Sequence, residues 1–316
     1  MKISVQSQDL VDDLGIQNAY RMIKNAGFEA IDWSLDHAWK FKDLLRAERL
    51  ENLSIFEKSQ DEILAYYREE LDAIRENGLA ITQAHAPFPA YEPGRPDILE
   101  YAIRIYKNMI LFCDTVGCPR LIIHGITKQE RNPNATPADI ARLNDKLYES
   151  LIPALQSTKN VTVCLENLFT NATELHGHDF WEGHCSDPHL AVEIIDRLNE
   201  KAGKVCFGLC LDTGHLNLLR KPFHSYVPIL GKRICALHIH DNSQLNDSHM
   251  MPYTGTVRWD DFLKEMKAIG YDKDLSFETF AQTQKSRLPK ALLPTFLRSI
   301  ADIGNYFREE LQGFHA

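Results

Sequence analysis

Eight short β-rich runs, each followed by a longer stretch of helical periodicity, set the strongest limit on how this 316-residue chain can fold. The runs are Ile3–Ser7, Ala30–Leu35, Ala80–His85, Arg120–His124, Val161–Glu166, Phe207–Asp212, Ile234–His240 and Leu275–Glu278. Between them the spacing predicts helices over 14–26, 61–76, 98–116, from Pro137 towards Ser157, over 188–201 and 259–269, and finally over about 290–311, with a short helical turn at 226–230. Ile63, Leu64, Tyr67, Leu71 and Ile74, for example, fall on one helical face. Gly27, Gly78, Gly117 and Gly270 stand where a helix C-cap is expected, and Thr136 and Asp187 where an N-cap is expected. Continuous apolar runs suit parallel strands covered on both faces. Strict alternation favours a parallel sheet, and a count of eight favours closure. The expectation is an α/β protein, a single (β/α)8 TIM barrel over residues 1–316; a doubly wound open sheet is the rival. No linker, low-complexity tract or second-domain boundary interrupts the pattern.

Charge narrows the range of partners. The formal net charge is −9, and the basic clusters Lys40-Phe41-Lys42 and Arg220-Lys221 are short. That argues against a general nucleic-acid binder and against anionic membranes. The seven cysteines are odd in number and form no CxxC pair. Several sit inside apolar runs, as in Val163-Cys164-Leu165, so buried free thiols in a reducing compartment are expected. No long apolar stretch follows Met1-Lys2-Ile3-Ser4, so the reading is a cytoplasmic protein without a signal peptide or membrane span.

In a barrel of this kind, functional side chains gather at the C-terminal strand ends and the loops after them. The third run ends in His85, the fourth in His124, the fifth in Glu166, the sixth in Asp212 and the eighth in Glu278, while the seventh carries His238 and His240. Each ends or interrupts an apolar run. A lone strand-end Glu is more often salt-bridged, and a lone His more often a hydrogen-bonded rim residue; the joint pattern changes the balance. Ionised carboxylates there are costly to desolvate and repel one another. A divalent cation resolves both problems, and mixed O/N ligands suit Mn, Zn, Co, Fe or Mg rather than Ca. Further candidates follow in the loops: His215, then Asp247-Ser248-His249, where Asp-x-His can place two ligands on one metal. The loop after the fifth run, with His176, His178, Trp181 and His184, reads as a flexible lid over the pocket, with a second metal site as the alternative its composition suggests. Trp33, Phe88 and Trp181 are candidate apolar walls for a sugar, with core packing as the competing role, and no glycine-rich phosphate loop is evident.

Ala84-His85-Ala86-Pro87, Ile123-His124-Gly125, Leu165-Glu166-Asn167, Leu211-Asp212-Thr213-Gly214-His215, Leu237-His238-Ile239-His240-Asp241-Asn242, the loop Asp247-x-His249-x-x-Pro252-x-x-Gly255-x-Val257-x-Trp259 and Phe277-Glu278 are each weak signals. In this order and at barrel spacing, the chain resembles the xylose isomerase-like barrel superfamily, in its sugar phosphate isomerase/epimerase branch, over essentially its whole length. The resemblance implies a four-ligand metal site of Glu166, Asp212, His238 and Glu278, with the two glutamates facing each other across a substrate and His215 beside the metal or on a substrate oxygen. Apurinic-site endonucleases of the same superfamily hold three zinc ions; their extra ligands fall on His85, His124, His215, Asp247 and His249, so more than one ion is open. Relatives are commonly dimers or tetramers, which leaves a homo-oligomer open.

The expected chemistry is sugar isomerisation or epimerisation by proton transfer through a metal-stabilised enediolate. Glu166 and Glu278 are the expected proton carriers; ligation lowers a carboxylate's basicity, so His215, His240 or His85 are the alternative bases. Trp33, Phe88 and His240 are the expected substrate contacts on a small carbohydrate or polyol. The alternatives are a metal-dependent dehydratase or lyase acting on a polyol or keto-acid, a zinc-cluster phosphodiesterase at abasic DNA sites, and a non-enzymatic binding protein.

Overall fold

In a computed structural model, which describes residues 1–36, 41–88, 91–127, 135–171, 180–284 and 288–313, the eight runs form one parallel sheet. The strands are β1 (Ile3–Gln6), β2 (Ala30–Ser34), β3 (Ala80–His85), β4 (Arg120–Ile122), β5 (Thr162–Glu166), β6 (Phe207–Asp212), β7 (Ile234–His238) and β8 (Leu275–Phe277). Each pairs with the next in sequence, and β8 pairs with β1 through Ile3↔Leu275. The ring closes between β7 and β8, where Ile239 bridges Phe277 and exchanges backbone hydrogen bonds with Ser276 and Glu278. The expected barrel is therefore the fold, and the open sheet is excluded.

Helix boundaries differ from the sequence expectation where local chemistry intervenes. The chain after β1 forms two helices, Gln8–Leu14 and Ile16–Ala26, and not one starting at Leu14. Gly15 separates them at φ 77°, a conformation that suits a residue without Cβ. The helix begun at Pro137 stops at Glu149, and a second, Ile152–Ser157, carries Pro153 in its first turn. The last helix runs Leu293–Gln312, preceded by a 3₁₀ turn at Lys290–Leu292. The loop after β5 contains an antiparallel hairpin, Phe169–Asn171 with Phe180–Glu182. His176 and His178 lie outside the described residues.

Strand alternation decides what faces the lumen. Val163, Leu165, Leu209 and Leu211 belong to the large apolar core between sheet and helices, whereas Ile122, Cys164, Cys210 and Ala236 form a separate small cluster. The residues two further along from those four are His124, Glu166, Asp212 and His238. Period two therefore carries the same inward face from an apolar plug to a ring of ligand-type groups. All seven cysteines are free thiols, six buried and Cys235 half-buried. Among the described residues, no helix is long and apolar enough to cross a membrane.

Candidate functional site

The strand ends converge on Glu166. Its carboxylate lies 3.0 Å from His124 Nε2, 3.2 Å from His215 Nδ1, 3.3 Å from His238 Nδ1 and 3.9 Å from His85 Nε2. Glu278 Oε2 approaches the same His238 Nδ1 at 3.8 Å and His249 Nδ1 at 3.6 Å. Asp212 ends β6 and also caps the helix Thr213–Leu218, accepting a hydrogen bond from the His215 backbone N–H at 2.7 Å. That double role explains why an acid stands where the strand turns into a helix. Asp247 lies 3.0 Å from His249 Nε2 and 3.4 Å from His215 Nε2.

The histidines are oriented by what their other nitrogen touches. His85 Nδ1 donates to Ala86 O at 2.6 Å, His215 Nδ1 to Asn167 O at 3.0 Å, and His249 Nδ1 to Glu278 O at 3.0 Å. Each thereby presents Nε2, the lone-pair nitrogen of that tautomer, to its neighbours in the site. The His85 and His124 Nε2 atoms stand 3.1 Å apart. His238 has the opposite orientation, with Nδ1 towards Glu166 and Glu278.

Electrostatics follow from burial without lysine or arginine. Among the described residues, no such side chain ion-pairs with Glu166, Asp212, Asp247 or Glu278, and imidazoles are their close neighbours. Burial on its own raises the Glu166 carboxyl, but His124 and His238 hold it well below the usual range. Burial keeps Glu278 above its ordinary value despite His238 and His249. Burial disfavours charge on His215 and His249, yet Asp212 and Asp247 raise His215 well above normal and Asp247 raises His249 to about 9. Burial, then the neighbouring His124 and His238, pushes His85 down to about 4.

These residues fit a divalent cation. Glu166 Oε2, His238 Nδ1 and Asp247 Oδ1 are buried with no aligned hydrogen-bond partner, although each lies within ion-pair range of another candidate ligand. Close contacts without hydrogen-bond alignment suit groups that share an ion. Three groupings have ligand atoms close enough for one cation: His85, His124 and Glu166; Asp212, His215 and His240; and His240, Asp247 and His249. His238 joins Glu166 with Cys210 in one further grouping and Glu278 with Asp32 in another.

One of the expected substrate contacts, Trp33, sits in the core instead. Trp33 is 1% exposed, its ring 5.0 Å from Tyr67 and 5.7 Å from Phe112. It faces the helix layer because Asp32 on the same strand is turned towards His238 in the lumen, and neighbours alternate. Trp33→Ala should therefore lower stability by about 3–5 kcal/mol in chemical denaturation, with substrate KM unchanged; a raised KM at full stability would place the ring in the mouth after all. His240 is fully buried, with Nε2 3.0 Å from Asp212 and its ring stacked 3.9 Å from His249. Gly214 makes room for it: a Cβ there would lie 2.0 Å from His240 Cε1. Phe88, by contrast, is 67% exposed and lies 4.7 Å from the His124 ring. Phe169 and Phe280 stand against His215 and His249, while Trp181 is exposed and His184 stacks on Tyr148. A cleft of about 610 Å³ with Ile126, Ile140, Leu190 and Ile194 among its walls is lined by none of Glu166, Asp212 and Glu278.

Asp32 went unrecognised among the candidates. It is fully buried, 3.3 Å from His238 Nε2, and held by Gln83 at 2.6 Å and Ser276 at 3.2 Å. The available signal was an acid in the middle of Ala30-Ile31-Asp32-Trp33-Ser34.

The family model for the xylose isomerase-like TIM barrel matches residues 20–300. Protein y4fM of Sinorhizobium fredii (strain NBRC 101917 / NGR234), itself uncharacterized, is 25% identical over 290 residues, covering 84% of this chain and 82% of that one. The crystal structure of a D-tagatose 3-epimerase-like protein superposes with TM-score 0.67 at 18% identity, covering 97% of this chain and 99% of that one. The IolI protein with a bound zinc atom superposes with TM-score 0.66 at 16% identity, covering 100% of both chains.

Proposed function

Since the chain belongs to the xylose isomerase-like TIM barrel family, we propose that it is a divalent-metal-dependent sugar isomerase or epimerase. The observation that carries this reading is the approach of Glu166 and Glu278, from β5 and the end of β8, to one nitrogen of His238. Two carboxylates set around one point suit removal of a proton and its return to another face or carbon. Fold neighbours that include a D-tagatose 3-epimerase-like protein and a protein with a bound zinc atom support the same reading.

Glu166, Asp212, His238 and Glu278 would hold the ion, and His85 with His124, or His215 with Asp247 and His249, would extend the site to further ions. Bound there, a divalent ion supplies Lewis acidity towards a carbonyl and its neighbouring hydroxyl. The polypeptide's own work is proton transfer and positioning. Glu166 takes the proton from carbon beside the carbonyl, and Glu278 delivers one. His215, its Nδ1 tied to Asn167 O, keeps Nε2 on the Asp247 side for a substrate hydroxyl. Phe88, beside His124, supplies an apolar wall at the mouth.

Solvent-deuterium exchange into a panel of ketoses and aldoses, with the protein loaded with Mn²⁺, Co²⁺ or Zn²⁺, tests this. One C–H per turnover should exchange without a redox cofactor. Phosphodiester hydrolysis at abasic DNA is the second reading, favoured by the His85–His124 pair and the Asp247–His249 pair flanking the central carboxylates. The net charge of −9 opposes it. Incision of abasic duplex with no sugar exchange would reverse the order of the two. Loss of water from a polyol or keto-acid would indicate the lyase alternative.

A further inference from the structure

We infer that Asp32 is a positioning residue for His238, and that its carboxylate sets which imidazole nitrogen that side chain offers to a cation. The inference rests on the metal-binding part of the proposed function, not on the sugar reaction. His85, His215 and His249 have Nδ1 tied to a backbone carbonyl and present Nε2. His238 is reversed: Nδ1 faces Glu166 at 3.3 Å and Glu278 at 3.8 Å, and Nε2 faces Asp32 Oδ2 at 3.3 Å. A carboxylate thus stands on the side that a neutral carbonyl occupies for the other three, in close contact with Nε2 though without hydrogen-bond alignment.

Asp32 is itself held in place. It is fully buried on β2, and its Oδ2 accepts from Gln83 Nε2 at 2.6 Å on β3 and from Ser276 Oγ at 3.2 Å on β8. Gln83 Nε2 also donates to Leu237 O at 3.2 Å, next to His238, so four strands fix the geometry. Among the described residues no lysine or arginine ion-pairs with Asp32; its ionisable partner is the His238 imidazole. A carboxylate behind the far nitrogen keeps a proton on Nε2, leaves the Nδ1 lone pair free and makes it more basic. The alternative role, filling the barrel floor, needs neither the charge nor this orientation.

Asp32→Asn keeps the size and removes the charge; Ser276→Ala removes one hydrogen bond to the carboxylate. Both are titrated with Co²⁺, following visible absorption bands, and with Zn²⁺ in competition. Asp32→Asn should weaken binding by about 10- to 100-fold and shift the Co²⁺ bands, with Ser276→Ala smaller in the same direction. In the Zn²⁺-loaded wild type, ¹⁵N-histidine NMR should find a slowly exchanging Nε2–H on His238, assigned by its loss in His238→Gln. Wild-type affinity and bands in both variants overturn the inference, as does a lowered melting temperature with unchanged bands. If Asp32→Asn does not fold, Ser276→Ala and the NMR signal decide: wild-type affinity in Ser276→Ala, or a Zn²⁺-bound His238 carrying its proton on Nδ1, overturns it. Absence of sugar exchange in the wild type would count against the proposed reaction and leave these metal readouts untouched.

Discussion

Glu166→Gln is expected to lower the rate of C–H exchange by about 10²–10⁴-fold and to reduce the bound metal of the purified protein. No other side chain in the site touches as many candidate ligands. Its carboxylate lies within 4 Å of His85, His124, His215 and His238, and 1% of its side chain is exposed. The amide has nearly the same shape, so the substitution tests charge and not packing. It replaces an anionic oxygen with an N–H₂ that can ligate nothing, among histidines of which His85 and His215 are already oriented by backbone carbonyls. The proton-carrier and ligand roles are separated by metal content measured beside the rate. Loss of exchange with full metal content assigns Glu166 to proton transfer alone, and loss of both assigns it to the metal as well. A variant with wild-type metal and wild-type exchange removes Glu166 from the mechanism.

Stripping the metal with a chelator should abolish exchange, and adding one divalent ion back should restore it. It should also lower the melting temperature. A ligand present at a thousand times its dissociation constant stabilises the native state by about 4 kcal/mol, which for a chain of this size corresponds to a shift on the order of 6 °C. The effect is large because the cluster is buried and its negative charges have no lysine or arginine partner among the described residues. Imidazoles and carboxylates bind an ion only when deprotonated, so uptake releases protons and weakens as the pH falls. Calorimetry in buffers of different ionisation enthalpy measures that release directly. Equal melting temperatures with and without metal, and exchange that survives chelation, would count against a resident cation.

Much of the site could be read in the chain because barrel strands put chemistry at their ends. Leu121-Ile122-Ile123-His124, Val163-Cys164-Leu165-Glu166 and Leu209-Cys210-Leu211-Asp212 each carry an apolar run into a ligand-type residue. The structure brings His124, Glu166 and Asp212 into one network through His215 and His240. Trp33 and Asp32 were harder. Reading Ala30-Ile31-Asp32-Trp33-Ser34 as a strand does not say which alternate face points inward, and a large aromatic invites a substrate role. The phase is set by neighbours: β2 slips against β3 between Ile31 and Asp32, which brings Asp32 level with Gln83.

The chain by itself determined the barrel, since eight apolar runs of strand length alternating with amphipathic helices have few other ways to bury themselves. It also determined the identity of the polar groups at the strand ends, because those residues terminate the runs. Only the tertiary structure decided which nitrogen each histidine presents, that Trp33 faces the helices, and that Asp32 stands behind His238. Those outcomes depend on register across strands far apart in sequence and on backbone carbonyls within a few ångströms. Neither is encoded in local spacing.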